Sequence, residues 1–261
     1  MRNRNYITSL ERGLKILQVF GESSRPLTLS EVANACKLNK TATQRFLYTL
    51  CSLEYLHRDT NKSYILGTKV LSLGFSYFNA SNLVKIVKPY LDELSFQFNK
   101  TVNLAVLDDT EALILYRKEV VKFLKFDIGP GARFPAYAGC LGKVLLAGLP
   151  GKELKKRINK MKPYPITPKT IISKERLWEE INKIKERGYG SSNQELSMDL
   201  DSFAVALVDA KPDVVGVINF STEAERTSSE DLQVILNALM KKGEVISRSL
   251  GYTGIYPWFP K

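Results

Sequence analysis

The sequence predicts a mixed α+β protein with an N-terminal winged helix-turn-helix, a linking helix and a larger C-terminal domain of sheet and helices. Three observations carry this prediction. Thr28-Leu29-Ser30-Glu31 has the T-x-x-E form of a capping box and precedes Val32, Ala33 and Cys36, apolar residues at helical spacing. Only Lys37, Leu38 and Asn39 separate that short helix from the next apolar-periodic run, the tight connection of a helix-turn-helix. From Thr101 onward the pattern changes to short β-prone runs alternating with amphipathic helices, as in a sheet covered by helices.

Each element has a local reason. Ser9 is the expected cap of a first helix whose buried stripe is Leu10, Leu14, Leu17 and Ile16, ending near Gly21. Asn39 is the expected cap of the third helix, with Phe46, Leu47, Leu50 and Leu53 inward. Residues 55–58 and 64–66 form a hairpin wing around Asp59-Thr60-Asn61-Lys62. A helical stretch follows from Thr68 to about Phe98, broken near Asn79-Ala80-Ser81, with Pro89 early in its second part. Strands are expected at 102–107, 112–117, 121–128, 203–208 and 214–220, and helices near 138–146, 152–159, 174–187 and 229–248. The domains are thus 1–66, a linking helix at 67–80, and 81–261.

Composition narrows the function classes. The 261 residues hold 38 Lys+Arg against 27 Asp+Glu, a net charge of +11, and residues 1–66 alone carry ten basic and five acidic side chains. That concentration favours a polyanionic partner for the first domain. With 44% apolar and 25% charged residues the chain has material for packed cores. No apolar run approaches the roughly 18 residues of a membrane span, and the basic start, Met1 to Tyr6, leads into no apolar signal region, so a cytoplasmic protein is expected. Cys36, Cys51 and Cys140 form no C-x-x-C pair, and His57 is the lone histidine, which leaves no zinc site, no disulfide framework and no expected cofactor.

The third helix offers Lys40, Thr41, Thr43, Gln44 and Arg45 outside its apolar stripe, near its N-terminal end, and the hairpin offers Arg58 and Lys62. Arg pairs with guanine O6/N7 and Gln with adenine N6/N7, while Lys and Thr hold phosphate. Enzyme chemistry has little support. Gly142-Lys143 lacks the earlier glycine of a phosphate loop, and Cys140 has no base in its domain.

Over nearly its whole length the chain resembles the isocitrate-lyase-regulator (IclR) family of transcription factors. The stretches that carry the resemblance are Ser9-Leu10-Glu11-Arg12-Gly13-Leu14-Lys15-Ile16-Leu17, Leu27-Thr28-Leu29-Ser30-Glu31-Val32-Ala33 and Tyr64-Ile65-Leu66-Gly67 in the first domain. In the second they are Gly139-Cys140-Leu141-Gly142-Lys143-Val144-Leu145-Leu146-Ala147 and Ile184-Lys185-Glu186-Arg187-Gly188-Tyr189. The third helix opens Asn39-Lys40-Thr41-Ala42 where the family usually has Pro-Lys-Ser-Thr.

What the resemblance implies is a non-enzymatic regulator that binds double-stranded operator DNA as a homodimer or homotetramer through its winged helix. It further implies dimerisation through the linking helix and a GAF-like C-terminal domain that binds a small-molecule effector. By position it assigns the effector to Cys140, Leu141, Ser192, Asn193, Ser202, Asn219 and Ser221. An organic acid is expected, because the amides at a helix N-terminus attract anions; Leu141, Val106 and Phe203 would line the rest. Asp199 and Asp201 would oppose an anion if they point inward. The alternative is a winged-helix protein-interaction module with a metabolite-binding domain.

Overall fold

The computed structural model describes residues 5–120, 128–224 and 228–260, and it separates into two compact units, Met1–Ala80 and Ser81–Lys261. The strand expected at 121–128 lies almost wholly outside the described residues.

The first unit contains α1 (Thr8–Gly21), β1 (Leu27–Thr28), α2 (Leu29–Cys36), α3 (Lys40–Ser52), β2 (Leu56–Arg58), β3 (Ser63–Leu66) and α4 (Lys69–Ala80). Thr28 accepts the Glu31 amide while the Glu31 carboxylate accepts the Thr28 N–H, so the capping box starts α2 as its sequence dictates. Lys37 ends α2 in the left-handed conformation, and Asn39 Oδ1 accepts the Ala42 amide at 2.7 Å to start α3. Ile16, Phe20, Val32, Cys36, Leu47, Leu50, Leu56 and Tyr64 form the core between these helices and the wing. The wing has a third strand that the sequence does not announce, because Leu27 and Thr28 are too short a run to show alternation; they pair antiparallel with Tyr64 and Ser63.

Two expectations for α1 are corrected. The helix begins at Thr8, and its cap position, Ile7, makes no side-chain bond, so Ser9 lies inside the helix. Ile16 and Phe20 are the buried residues, whereas Leu10 and Leu14 are 60% and 53% exposed. With several apolar residues around α1, periodicity alone selects no unique face, and packing against α2 chose the one carrying Ile16. On α3, Leu53 is likewise exposed, as the helix has already ended at Ser52.

The second unit contains α5 (Asn82–Phe98), β4 (Thr101–Asp108), β5 (Glu111–Lys118), β6 (Arg133–Pro135), α6 (Cys140–Ala147), α7 (Gly151–Lys160), α8 (Lys174–Arg187), β7 (Gly190–Asn193), β8 (Leu200–Val208), β9 (Val214–Glu223) and α9 (Ser229–Ser249). Its strands make one antiparallel sheet in the order β6-β5-β4-β9-β8-β7. Alternation assigns the two faces. Ala105, Ala204, Ala206 and Val217 pack with Val144, Leu154, Ile158, Leu177 and Ile181 of α6, α7 and α8. On the opposite face the Phe220 ring meets Phe98 of α5 edge-on at 5.5 Å. β6 and β7, at three and four residues, are too short to have been read from the sequence.

Two glycines shape the start of α6. Gly139 has φ +89°, a conformation that side chains rarely adopt, and a Cβ on Gly142 would lie 2.3 Å from the Ala136 backbone. Among the described residues, no helix is long and apolar enough to cross a membrane.

Candidate functional site

On the first unit, the Asn39 cap turns the opening residues of α3 outward. Lys40, Thr41, Gln44 and Arg45 are exposed along this helix, and Arg58 and Lys62 are exposed on the wing. Arg58 stacks over Tyr64 with its guanidinium carbon 5.6 Å from the ring centroid, and Lys62 occupies a left-handed turn position. Thr43 belongs elsewhere. It is fully buried, and its hydroxyl donates to the Asn39 carbonyl at 2.9 Å, so it packs into the core and presents nothing to solvent. Its place three residues before Phe46 and four before Leu47 put it in the apolar stripe, a position its polarity concealed. Tyr48, which sequence reasoning passed over, is 75% exposed and shares a shallow depression with Gln44, Arg45 and Thr49; its spacing of four residues from Gln44 was the available signal.

The second unit holds a narrow cavity between α6 and the sheet, with a water-accessible volume of about 40 Å³. Cys140, Leu141, Ser202, Asn219 and Ser221 all line it, together with Asn103, Ile114, Arg117, Phe134, Leu196 and Leu200. Register explains the convergence. Arg117 lies opposite Asn103, Asn103 opposite Asn219, Thr101 opposite Ser221, and Ser221 opposite Ser202, which makes a polar strip across an otherwise apolar sheet face. The strip is bonded along its length. Arg117 Nη1 donates to Asn103 Oδ1 at 2.9 Å, Asn103 Nδ2 to Asn219 Oδ1 at 2.8 Å, and Asn219 Nδ2 faces Ser221 Oγ at 3.5 Å. The Cys140 thiol donates to Ser202 Oγ at 3.1 Å. Burial pushes the Cys140 thiol pKa up, so the group is neutral and unsuited to nucleophilic chemistry.

Ser192 and Asn193 do not line the cavity. Ser192 is buried and continues the strip by facing Ser202 across β7 and β8, whereas Asn193, one residue on, points to the other face and accepts from Lys169 at 3.3 Å. The same one-residue parity removes Val106 and Phe203 from the expected lining; Phe203 packs against Tyr189 instead, at 6.5 Å between centroids. Neither Asp199 nor Asp201 lines the cavity. Asn103 and Arg117 were missed because both sit in runs that read as ordinary strand; their signal was a polar residue recurring at the inward parity of adjacent strands.

Behind the cavity wall, Lys143 of α6 forms a buried ion pair with Glu195, Nζ to Oε1 at 2.5 Å, and donates to the Ser191 carbonyl at 3.0 Å. Among the described residues, no cluster of three or more His, Cys, Asp or Glu side chains is placed to hold a metal ion.

Comparison with known proteins agrees with this two-part arrangement. The IclR helix-turn-helix domain model matches residues 9–60, and the model of the bacterial transcriptional regulator IclR C-terminal domain matches residues 75–248. The chain is 32% identical over 230 residues to the Pca regulon regulatory protein of Pseudomonas putida, spanning 88% of this chain and 79% of that one. It superposes on a crystal structure of a transcriptional regulator from Rhodococcus sp. RHA1 with a TM-score of 0.80 and 33% identity, over 94% of this chain and 99% of that one. An IclR homologue of Microbacterium hydrocarbonoxydans, crystallised with 4-hydroxybenzoate, shares the fold at a TM-score of 0.78 and 18% identity, over 94% of this chain and 100% of that one. The matches are to regulators, not enzymes, and the chain belongs to the IclR family of bacterial transcriptional regulators, which join a DNA-binding helix-turn-helix to an effector-binding C-terminal domain.

Proposed function

We propose that this regulator binds operator DNA in the cytoplasm as a homodimer or a dimer of dimers, and that a small organic acid occupying the cavity of its second unit alters operator affinity. In this reading residues 1–66 contact DNA, 67–80 pair with a second copy, and 81–261 bind the effector. Lys40, Thr41, Gln44 and Arg45 enter the major groove, and Arg58 and Lys62 hold flanking phosphates. Residues Cys140, Leu141, Ser202, Asn219 and Ser221 contact the acid directly, while Ser192 supports Ser202 from the next strand.

The observation that carries the effector reading is the polar strip sunk in an apolar cavity, the form of a site that orients a compact polar-headed ligand. At about 40 Å³ the space takes about three water molecules. Ligand pockets usually span about 300 Å³ or more, so the cavity has to widen when an effector enters. That movement is the differential interaction through which effector binding can be linked to DNA affinity, with a coupling typically of about 1–3 kcal/mol.

The second copy is supported by α4, of which no described residue is buried and whose Leu71, Leu73, Phe75 and Tyr77 are all more than half exposed. Tyr6 and Ile7, just before α1, and Leu10 and Leu14 on it add exposed apolar surface. The test is a mobility-shift titration against the gene's own upstream DNA, with and without organic acids, 4-hydroxybenzoate first. Binding that falls steeply with salt and changes with an acid is expected. Salt-independent binding, or an acid response that survives filling the cavity with Ser221→Leu, would contradict the reading.

A further inference from the structure

Arg117 is the one charged side chain among the described residues that line the cavity, and its side chain is only 8% exposed. Nη1 is used by Asn103 and Nη2 lies 3.3 Å from Glu119 Oε1, but Nε is buried with no hydrogen-bond partner among the described residues. A guanidinium keeps its charge at any physiological pH, and a buried N–H left unmade is costly. The Nε edge is therefore a donor held in readiness at the end of the polar strip, beside a cavity whose walls away from the strip include the apolar Ala112, Ile114, Phe134, Leu196 and Leu200.

Resting on the effector reading above, we propose that Arg117, oriented by Asn103, is the anchor for the effector's carboxylate. The effector is then an acid with one buried carboxylate at the Arg117 end and an uncharged apolar body against Ile114, Phe134 and Leu196. This places the charge on β5 rather than at the N-terminus of α6, where the sequence alone put it. A full charge presenting parallel N–H groups along its Nε–Nη2 edge binds a carboxylate in two places, which the partial charge of an eight-residue helix does not match. Glu119, about one-third exposed, can turn to solvent and release Nη2. Other nearby charges do not oppose the anion. Lys143 and Glu195 neutralise each other, Asp199 and Asp201 are outside the lining, and the Cys140 thiol is neutral.

The experiment uses the full chain and a panel of benzoate, 4-hydroxybenzoate, phenylacetate and pyruvate, each beside its uncharged amide, with thermal shift and calorimetry as readouts. At least one acid is expected to bind the wild type while its amide does not. Arg117→Gln should weaken that acid about 10- to 100-fold, the loss of a charge-assisted pair, and Arg117→Lys should retain part of the affinity. Asn103→Ala, expected to weaken the same acid several-fold, decides the matter if Arg117→Gln fails to fold by circular dichroism. The proposal is overturned if the variants bind the acid as the wild type does, if an amide binds as well as its acid, or if no acid in the panel binds. Operator binding without acid is measured in parallel. Its absence from the wild type defeats the regulatory reading, whereas intact operator binding with unaltered acid binding in the variants defeats the anchor alone.

Discussion

Lys143 Nζ lies 2.5 Å from Glu195 Oε1, with the two side chains 1% and 8% exposed, so a helix facing the cavity and the segment that carries Leu196 are joined by a buried ion pair. The segment is held from its other side as well, by Thr170, whose hydroxyl donates to the Glu195 carbonyl at 2.8 Å. Removing one charge leaves the other buried and unpaired, and Glu195 Oε2 already has no partner among the described residues.

The first prediction follows from that asymmetry. Lys143→Met should cost about 3–5 kcal/mol in denaturant unfolding, and Glu195→Leu alone should lie on the same side of zero. The pair Lys143→Met with Glu195→Leu, which removes both charges at similar volume, should cost less than the sum of its single changes. Additive losses would show that the two charges do not depend on each other.

A second prediction separates the two kinds of residue on α3. Arg45→Ala should weaken operator binding by about 1–3 kcal/mol if Arg45 reads a base, with the unfolding midpoint unchanged. Thr43→Ala should do the reverse, lowering stability by about 1 kcal/mol through its lost packing and its lost bond to Asn39, with little change in the salt dependence of DNA binding. A Thr43 variant that folds as stably as the wild type but loses base discrimination would return Thr43 to the DNA surface.

The contrast between Thr43 and Arg45 also shows what the sequence makes legible. Local rules placed the capping box at Thr28, the Asn39 cap, the three-residue turn, and a helix at Lys174–Arg187, because each depends on neighbours a few residues away. The polar strip depends instead on β4 meeting β9 across more than a hundred residues, and on a bulge between Leu104 and Ala105 that resets the register of the β4–β5 hairpin. Cys140, Leu141, Ser202, Asn219 and Ser221 were reached through family position. Arg117 and Asn103 come into view only once the sheet order is known, and one step of parity dismisses Val106, Asn193 and Phe203.

A third prediction concerns self-association. Leu71 and Phe75 are 75% and 63% exposed and lie four residues apart, hence on one face of α4. The double change Leu71→Asp with Phe75→Asp should convert an associating wild type to monomer in sedimentation at micromolar concentration and reduce operator affinity accordingly, because two recognition helices are no longer held together. Because α4 buries no residue in its own unit, the fold should survive. A variant that stays associated would place the interface elsewhere, with the exposed Leu10 and Leu14 of α1 next to be tested.

The last prediction is a pH dependence of the capping box. Glu31 accepts a 2.7 Å bond from Arg25 Nη2, and also accepts from the Thr28 amide and hydroxyl at 2.7 and 2.8 Å. The Arg25 bond first, and then the two Thr28 bonds, hold its carboxyl at about 2, against an ordinary value of 4.5. A carboxylate whose pKa is depressed in the folded state binds fewer protons there than in the unfolded chain. Its contribution is therefore complete above about pH 4.5 and is lost as pH falls toward 2. Both partners are solvent-exposed, so the effect is local and diminished by salt. Hydrogen exchange at the α2 amides should report it, with protection declining between pH 4.5 and 2 in the wild type. Glu31→Gln should be less protected at pH 6 and nearly flat across the acid range, after correction for intrinsic exchange. If the wild type and Glu31→Gln lose protection in parallel, the acid sensitivity of α2 comes from another carboxylate and the Glu31 pair contributes nothing measurable.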